Sequence, residues 1–377
     1  MAEVAVTGIG MVTPLGYDAG VVLDAVRKQR TAAAPSPFFR SMACPVYAPV
    51  PDFDAARYFP ENKTLRLMNR DAQMAVVAAH GALNDAAIVP GTLYPAEEIA
   101  LYGATGLTGL PAEEIVRLVE NAAAPDGSLD LDRFGQVALK RIRPVLSFKI
   151  LANMPICFVS IFENLRGPNA VYTPWEGHGA EAIAAGVDAV ANEEVPCAVV
   201  GGCDVKTHAF SFVALQQFGV FDAWSQHGDG CIPGEGAAFL VLENREKAVQ
   251  RGATIYAVIR RHTVQPTLAQ NDLADTFCNI LQKVGADSTA KGPCVVAAGD
   301  GDPHWAQAEQ TAIHNSGLAS RETIYPKRCL GNLFAAAACV QVALAAQLVS
   351  QSVAPTSVLA NCFGHGNPQA AFWLEAV

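Results

Sequence analysis

Short apolar runs, most of them stopping at glycine, alternate along this chain with longer segments of helical period. The runs are Val4 to Gly10, Ile99 to Gly103, Ala198 to Gly202, Ala237 to Glu243 and Pro293 to Gly299. Their length and β-branched content predict strands buried on both faces. Between them, Leu65 to Asp85 places Leu67, Met68, Met74, Val77, Ala78 and Leu83 at helical spacing. Pro111 to Ala122 predicts another helix, and Ala123 to Asp132 an exposed loop. Strands alternating with helices predict an α/β fold.

Two Ala-rich segments, Glu176 to Asn192 and Leu333 to Ser350, each follow a turn and are apolar all round. Such helices belong in a middle layer, covered by sheet on both sides. The strand Gly236 to Glu243 is echoed by Gln369 to Glu375. Matching βα halves predict an internal duplication, with the first half over residues 1–250 and the second over 251–377.

The turn before the first Ala-rich helix, Gly167-Pro168-Asn169-Ala170-Val171-Tyr172-Thr173-Pro174-Trp175-Glu176-Gly177, reads as a strand entering a sharp elbow. An elbow lifts one side chain above the free N–H groups of a helix start, where a nucleophile gains a lowered pKa and an oxyanion site. Here it lifts Trp175, and an indole is not a nucleophile.

Composition narrows the function. The 377 residues are 51% hydrophobic and only 16% charged, which predicts a large core and a surface partly buried against a partner. A formal charge of −10 argues against nucleic acid as the main partner. The ten cysteines are scattered, with no C-x-x-C pair, so they predict reduced buried thiols and no metal site. Gln226-His227-Gly228-Asp229 reads as a turn. The chain opens on a strand pattern and has no bilayer-length apolar run, so a cytoplasmic location off the membrane is expected. Gly103-x-x-Gly106-x-x-Gly109 lacks the lysine and spacing of a phosphate loop, and no cofactor is expected.

The sequence resembles the β-ketoacyl synthases of the thiolase fold over nearly its whole length. The residues that carry the resemblance are Val6 to Gly16, Gly167-Pro168-Asn169, Val200-Gly201-Gly202-Cys203-Asp204, Phe221-Asp222, Gly228-Asp229-Gly230, Pro233-Gly234-Glu235-Gly236-Ala237 and Asn361 to Gly366. The resemblance implies duplicated halves stacked as a five-layer α-β-α-β-α sandwich. It also implies a reaction in which a Cys accepts an acyl chain and two His stabilise the enolate left by malonyl decarboxylation.

All three reactive positions differ here. The T-A-C pattern of relatives reads Thr173-Pro174-Trp175. The run that opens with the first His reads Ala298-Gly299-Asp300-Gly301-Asp302-Pro303, and the second His is replaced in Lys327-Arg328-Cys329-Leu330-Gly331-Asn332. Lys327 matches the family's lysine, and Phe363-Gly364-His365-Gly366 resembles its gating loop. The segment Ile259 to Val284, with Arg260-Arg261-His262, is shorter than in relatives.

The resemblance therefore implies a chain-length-factor-like subunit. Such a subunit pairs with an active ketosynthase in a type II polyketide or fatty-acid-like system. It serves an acyl carrier protein bearing a phosphopantetheine-linked chain, and it shapes the tunnel at the heterodimer interface. Tunnel candidates are Leu107, Leu110, Ile115, Val116, Phe134 and Phe363, with Leu107 foremost. Chain-length factors of aromatic polyketide systems often carry Gln where Trp175 stands, so the departure points toward an aryl-polyene-like, highly reducing system. Two other readings stay open: an acyltransferase or hydrolase rewired around His178, His304 or His365, and a purely structural partner. Basic clusters at Arg27 to Arg30, Lys63 to Arg70 and Lys140 to Arg143 could steer an acidic carrier or simply be solvated.

Overall fold

The computed structural model describes residues 2–37, 46–107, 112–142, 145–220, 231–267, 272–285, 292–299, 302–318, 320–351 and 357–377. The strands of its large sheet are β1 (Val4–Val12), β2 (Ile99–Thr105), β3 (Asn169–Tyr172), β4 (Cys197–Val205), β5 (Glu235–Asn244), β6 (Ala257–Gln265), β7 (Cys294–Val296), β8 (Glu322–Ile324), β9 (Ser357–Cys362) and β10 (Gln369–Glu375). The main helices are α1 (Ala19–Arg27), α2 (Arg70–Asp85), α3 (Ala112–Ala122), α4 (Met154–Glu163), α5 (Glu176–Ala191), α6 (Ala209–Gln217), α7 (Leu273–Gly285), α8 (Pro303–Asn315) and α9 (Ala337–Ser350).

The strand order β8-β7-β9-β10-β6-β1-β5-β4-β2-β3 contains one topology twice. In β1 to β5, the first strand pairs antiparallel with the fifth, the fifth antiparallel with the fourth, and the fourth, second and third run parallel. Strands β6 to β10 repeat each of those pairings in the same sense. The echo noticed in the sequence thus has a physical cause. Strands β5 and β10 are equivalent and are covered on both faces. Leu240 and Leu242 of β5, and Phe372 and Leu374 of β10, face the middle core. Phe239 and Val241 face the outer helices on one side, and Trp373 faces those on the other.

Three apolar clusters mark the spaces between layers. Helices α5 and α9 lie in the middle one, and residues 331–346 are all buried. Helices α2 and α4 cover one sheet, and α7 and α8 the other. This is the expected five-layer α/β sandwich. The two sheets are also joined at their edges, since Val4, Ala5 and Val6 of β1 pair with Ile259, Val258 and Ala257 of β6.

Two predicted helices begin later than their periodicity suggests. Lys63–Leu67 forms a separate 3-10 turn, and α2 starts at Arg70. The break is held by Asn69, which is extended and donates from Nδ2 to the Lys149 carbonyl at 2.6 Å. The second Ala-rich helix proper starts at Ala337, because Phe334 has a positive φ of 46° and its N–H is capped by Asn332 Oδ1 at 2.9 Å. The segment 259–284 forms most of β6 and α7.

Candidate functional site

Strand β3 ends at Tyr172, and α5 begins at Glu176, so Trp175 stands at the elbow as the helix N-cap. Its indole is half-buried and packs edge-on against Phe218 at 5.8 Å and tilted against Phe334 at 6.2 Å. The loop above it must be glycine: a Cβ on Gly366 would lie 2.5 Å from Trp175 Cγ. The Trp175 N–H donates to His178 Nδ1 at 3.1 Å. His178 is thereby turned back onto its own helix start, which satisfies one orphan donor.

The other two positions that the motifs singled out, Ala298 and Asn332, come from the second half of the chain. Asn332 donates from Nδ2 to Glu176 Oε1 at 2.7 Å, and Lys327 Nζ lies 3.7 Å from the same oxygen. Lys327 also donates to the Phe363 carbonyl at 2.9 Å. Glu176, the residue after Trp175, is completely buried, and its Oε2 has no hydrogen-bond partner among the described residues. The Ala298 and Gly299 N–H groups donate to the two oxygens of Glu309, each at 2.8 Å, and Asn361 Nδ2 donates to Glu309 Oε1 at 2.7 Å. Burial pushes the Glu309 carboxyl above its ordinary range, opposed by those donors.

Phe277, Ala298, Glu309, Lys327, Phe363 and His365 surround a cavity of about 10 Å³. That is about the space one water needs. Phe363 stacks flat on Phe277 at 3.9 Å, and His365 packs on Trp305 at 5.0 Å. His304 is exposed at the start of α8. The three histidines of the rewired reading therefore occupy different settings. Beneath the elbow, Cys339 donates to the Gly179 carbonyl at 3.8 Å, and burial pushes its thiol up to about 12.

On the other side of Trp175 lies an apolar void of about 280 Å³, lined in part by Leu107, Ile115, Trp175, Phe210, Leu215 and Phe218. The structure thus brings Leu107 and Ile115 together with the elbow residue, and Leu107 is 59% exposed. Val116, 47% exposed, and the half-buried Phe134 are not among its lining residues. Phe363 belongs to the small cavity instead. Leu110, Phe221-Asp222 and the turn Gln226 to Asp229 lie outside the described residues.

A second, polar void of about 360 Å³ is lined by Asn69, Arg70, Asp71, Asp204, Thr207, His208 and Glu235 among others, and Leu107 and His208 line both voids. Sequence reasoning missed this group. Arg70 and Glu235 form an ion pair at 2.7 Å, and Thr207 donates to Glu235 at 2.6 Å. Lys206 pairs with Asp204. Burial raises the Asp71 carboxyl to about 6 and lowers His208 to about 4, the latter helped by the nearby Lys206 charge. An Asp in the helix-like run at 65–85 and a charged Lys206 right after a buried strand were the available signals.

Residues 1–248 match the β-ketoacyl synthase N-terminal domain, and the chain belongs to the β-ketoacyl synthase family. It is 27% identical to a 3-oxoacyl-[acyl-carrier-protein] synthase 2 from Synechocystis, over 67% of this chain and 60% of that protein. It is 25% identical to the tetracenomycin polyketide synthase ketoacyl synthase beta subunit of Streptomyces glaucescens, over 100% of this chain and 91% of that one. Among solved structures, the ishigamide ketosynthase/chain length factor superposes with a TM-score of 0.81 at 21% identity, covering 100% of this chain and 99% of that one. Such a likeness speaks for the shared fold. Among the described residues no helix is long and apolar enough to cross a membrane.

Proposed function

We propose that this chain is a non-catalytic, chain-length-factor-like subunit that pairs with an active ketosynthase and limits how much acyl chain their shared tunnel holds. The observation that carries this reading is the interlocked set at the former reaction centre. Trp175, Ala298 and Asn332 replace the nucleophile and both imidazoles, and Asn332 and Lys327 are engaged by Glu176. A space of about 10 Å³ beside Lys327 leaves no room for a malonyl group. The likeness to a ketoacyl synthase beta subunit over nearly the full length of both proteins supports the pairing.

The surface supports a partner as well. Among the described residues, strand β3 ends the sheet, with its hydrogen-bonded neighbour β2 on one side. Open edges invite pairing with another chain. Exposed Leu107, Phe210, Val213 and Phe218 lie on the loop after β2 and along or beside α6. The partner would bring the reactive cysteine, and an acyl carrier protein would deliver the phosphopantetheine-linked chain. Trp175, bulkier than the Gln of aromatic polyketide relatives, fits a highly reducing, aryl-polyene-like pathway. Leu107, Ile115 and Trp175 are the residues assigned to the tunnel wall.

The test is co-expression with an intact ketosynthase from the same gene neighbourhood, followed by mass analysis of the complex and of the carrier-bound product. A defined heterodimer whose product length changes with Leu107→Phe supports the proposal. Self-acylation of the isolated chain, or elongation by it alone, would overturn it. A change in yield at constant product length would favour a purely structural partner.

A further inference from the structure

A separate cleft lies at the edge of the sheet opposite β3, between the C-terminal end of α1 and strand β8. It holds about 320 Å³ and is lined by Val26, Arg27 and Gln29 on one side and by Glu322, Tyr325 and Arg328, among others, on the other. It shares no lining residue with the three spaces described above.

The charges around this cleft are unbalanced. Arg27 donates from Nε and Nη2 to the two carboxylate oxygens of Glu322, at 3.1 and 3.0 Å, and Lys28 pairs with Asp24 at 2.7 Å. Arg328 has no carboxylate partner among the described residues. Nor have Arg30 and Arg321, the chain neighbours of Gln29 and Glu322. Unmatched guanidiniums thus gather at one edge of a chain whose formal charge is −10.

Arg328 is also held in place. Its guanidinium carbon lies 4.0 Å from the centre of the Tyr325 ring. Stacking fixes the plane of the fork and leaves its N–H edge for an acceptor. The C-terminal end of α1 opposes an anion here, but it carries only about half an elementary charge. Its last carbonyls are occupied as well: Ala25 accepts from the Arg30 N–H at 3.0 Å and Val26 from the Gln29 N–H at 2.9 Å. The unmatched guanidiniums outweigh that end. A space of this size suits a small molecule better than a bare ion. Val26 and Ile324, both buried, add apolar surface to its lining.

We infer that this cleft binds a small phosphate monoester, its dianionic head on Arg328 and its organic body against Val26 and Ile324. A dianion answers several unmatched cations better than a monocarboxylate does. The site goes beyond the proposed function, and neither depends on the other.

Isothermal titration of the purified full chain with butyl phosphate tests it, at fixed ionic strength and about pH 8, where the probe is a dianion. Saturable one-to-one binding is expected. Arg328→Gln, a change at an exposed residue, should weaken it about tenfold or more, the weight of a charge-assisted hydrogen bond. Glu322→Gln frees Arg27 and should tighten binding. Lys140→Gln, in a basic cluster elsewhere, should leave it unchanged, and pentanoate should bind more weakly than the phosphate. The inference is overturned if butyl phosphate does not bind, if Arg328→Gln binds it as well as the wild-type chain does, or if Lys140→Gln weakens it equally. Equal affinity for pentanoate overturns the phosphate assignment. A duplex oligonucleotide that binds where butyl phosphate does not overturns the small-molecule reading.

Discussion

Asn332 donates a 2.7 Å hydrogen bond to Glu176, the residue that follows Trp175 at the elbow. Both groups are fully buried, and Lys327 completes the cluster. The bond links the first half of the chain to the second across the middle layer.

The tie makes a stability prediction. Asn332→Ala leaves Glu176 without its donor and should lower unfolding free energy by about 1–3 kcal/mol. Lys327→Ala strands a buried carboxylate and should cost more, about 3–5 kcal/mol. Glu176→Gln in the Lys327→Ala background should recover much of the loss. Urea unfolding measures all three, and equal small effects would show that the cluster is incidental.

On the proposed reading, a sulfur placed at the elbow should not by itself bring about condensation. Trp175→Cys places a thiol at the elbow, yet Ala298 and Asn332 still provide no imidazole, and the adjoining space holds about one water. Mass spectrometry after incubation with acyl and malonyl carrier protein should show no elongated product. Condensation by this single variant would mean that the missing histidines are dispensable.

Tunnel dimensions should respond to volume at Leu107 and Trp175. In the reconstituted pair, Leu107→Phe should shorten the product by at least one extension unit, because overpacking typically costs about 1–3 kcal/mol. Trp175→Ala should lengthen it or broaden the distribution. Chromatography with mass detection of released chains provides the readout.

Asp71 and His208 pull stability in opposite directions as pH changes. The Asp71 carboxyl, raised to about 6 from an ordinary 3.8, holds protons in the folded state that the unfolded chain has lost. Stability therefore falls as pH rises through that window. His208, lowered to about 4 from 6.5, binds fewer protons folded than unfolded, so its contribution is lost as pH falls through its window. Asp71→Asn should stabilise the chain near neutral pH by on the order of 2 kcal/mol and do little near pH 4. Chemical denaturation at both pH values checks the sign.

Much of the fold was legible because buried parallel strands and all-apolar helices leave strong local signatures. The doubled strand ending was visible as Ala237 to Glu243 and Ala370 to Glu375, since both strands are covered on two faces. The helix starts were not, because Asn69 and Asn332 set them through side-chain bonds to distant or non-periodic positions. At the site, the motifs singled out Trp175, Ala298 and Asn332, and the structure sets Asn332 against Glu176 at the elbow while Ala298 lines the small cavity beside Lys327. The Glu176, Glu309 and Asp71 carboxylates could not. Nothing in a sequence says which of 36 acidic residues is buried until β7, α2 and the elbow have been brought together.

The edge pairing of β1 with β6 has a mechanical consequence. Three residue pairs sew the two sheets into a continuous shell around α5 and α9. A chain severed between Asn244 and Ala257 would therefore bare a sticky strand margin and the flank of an oily helix pair. Its fragments would be expected to precipitate separately and to regain solubility only when mixed.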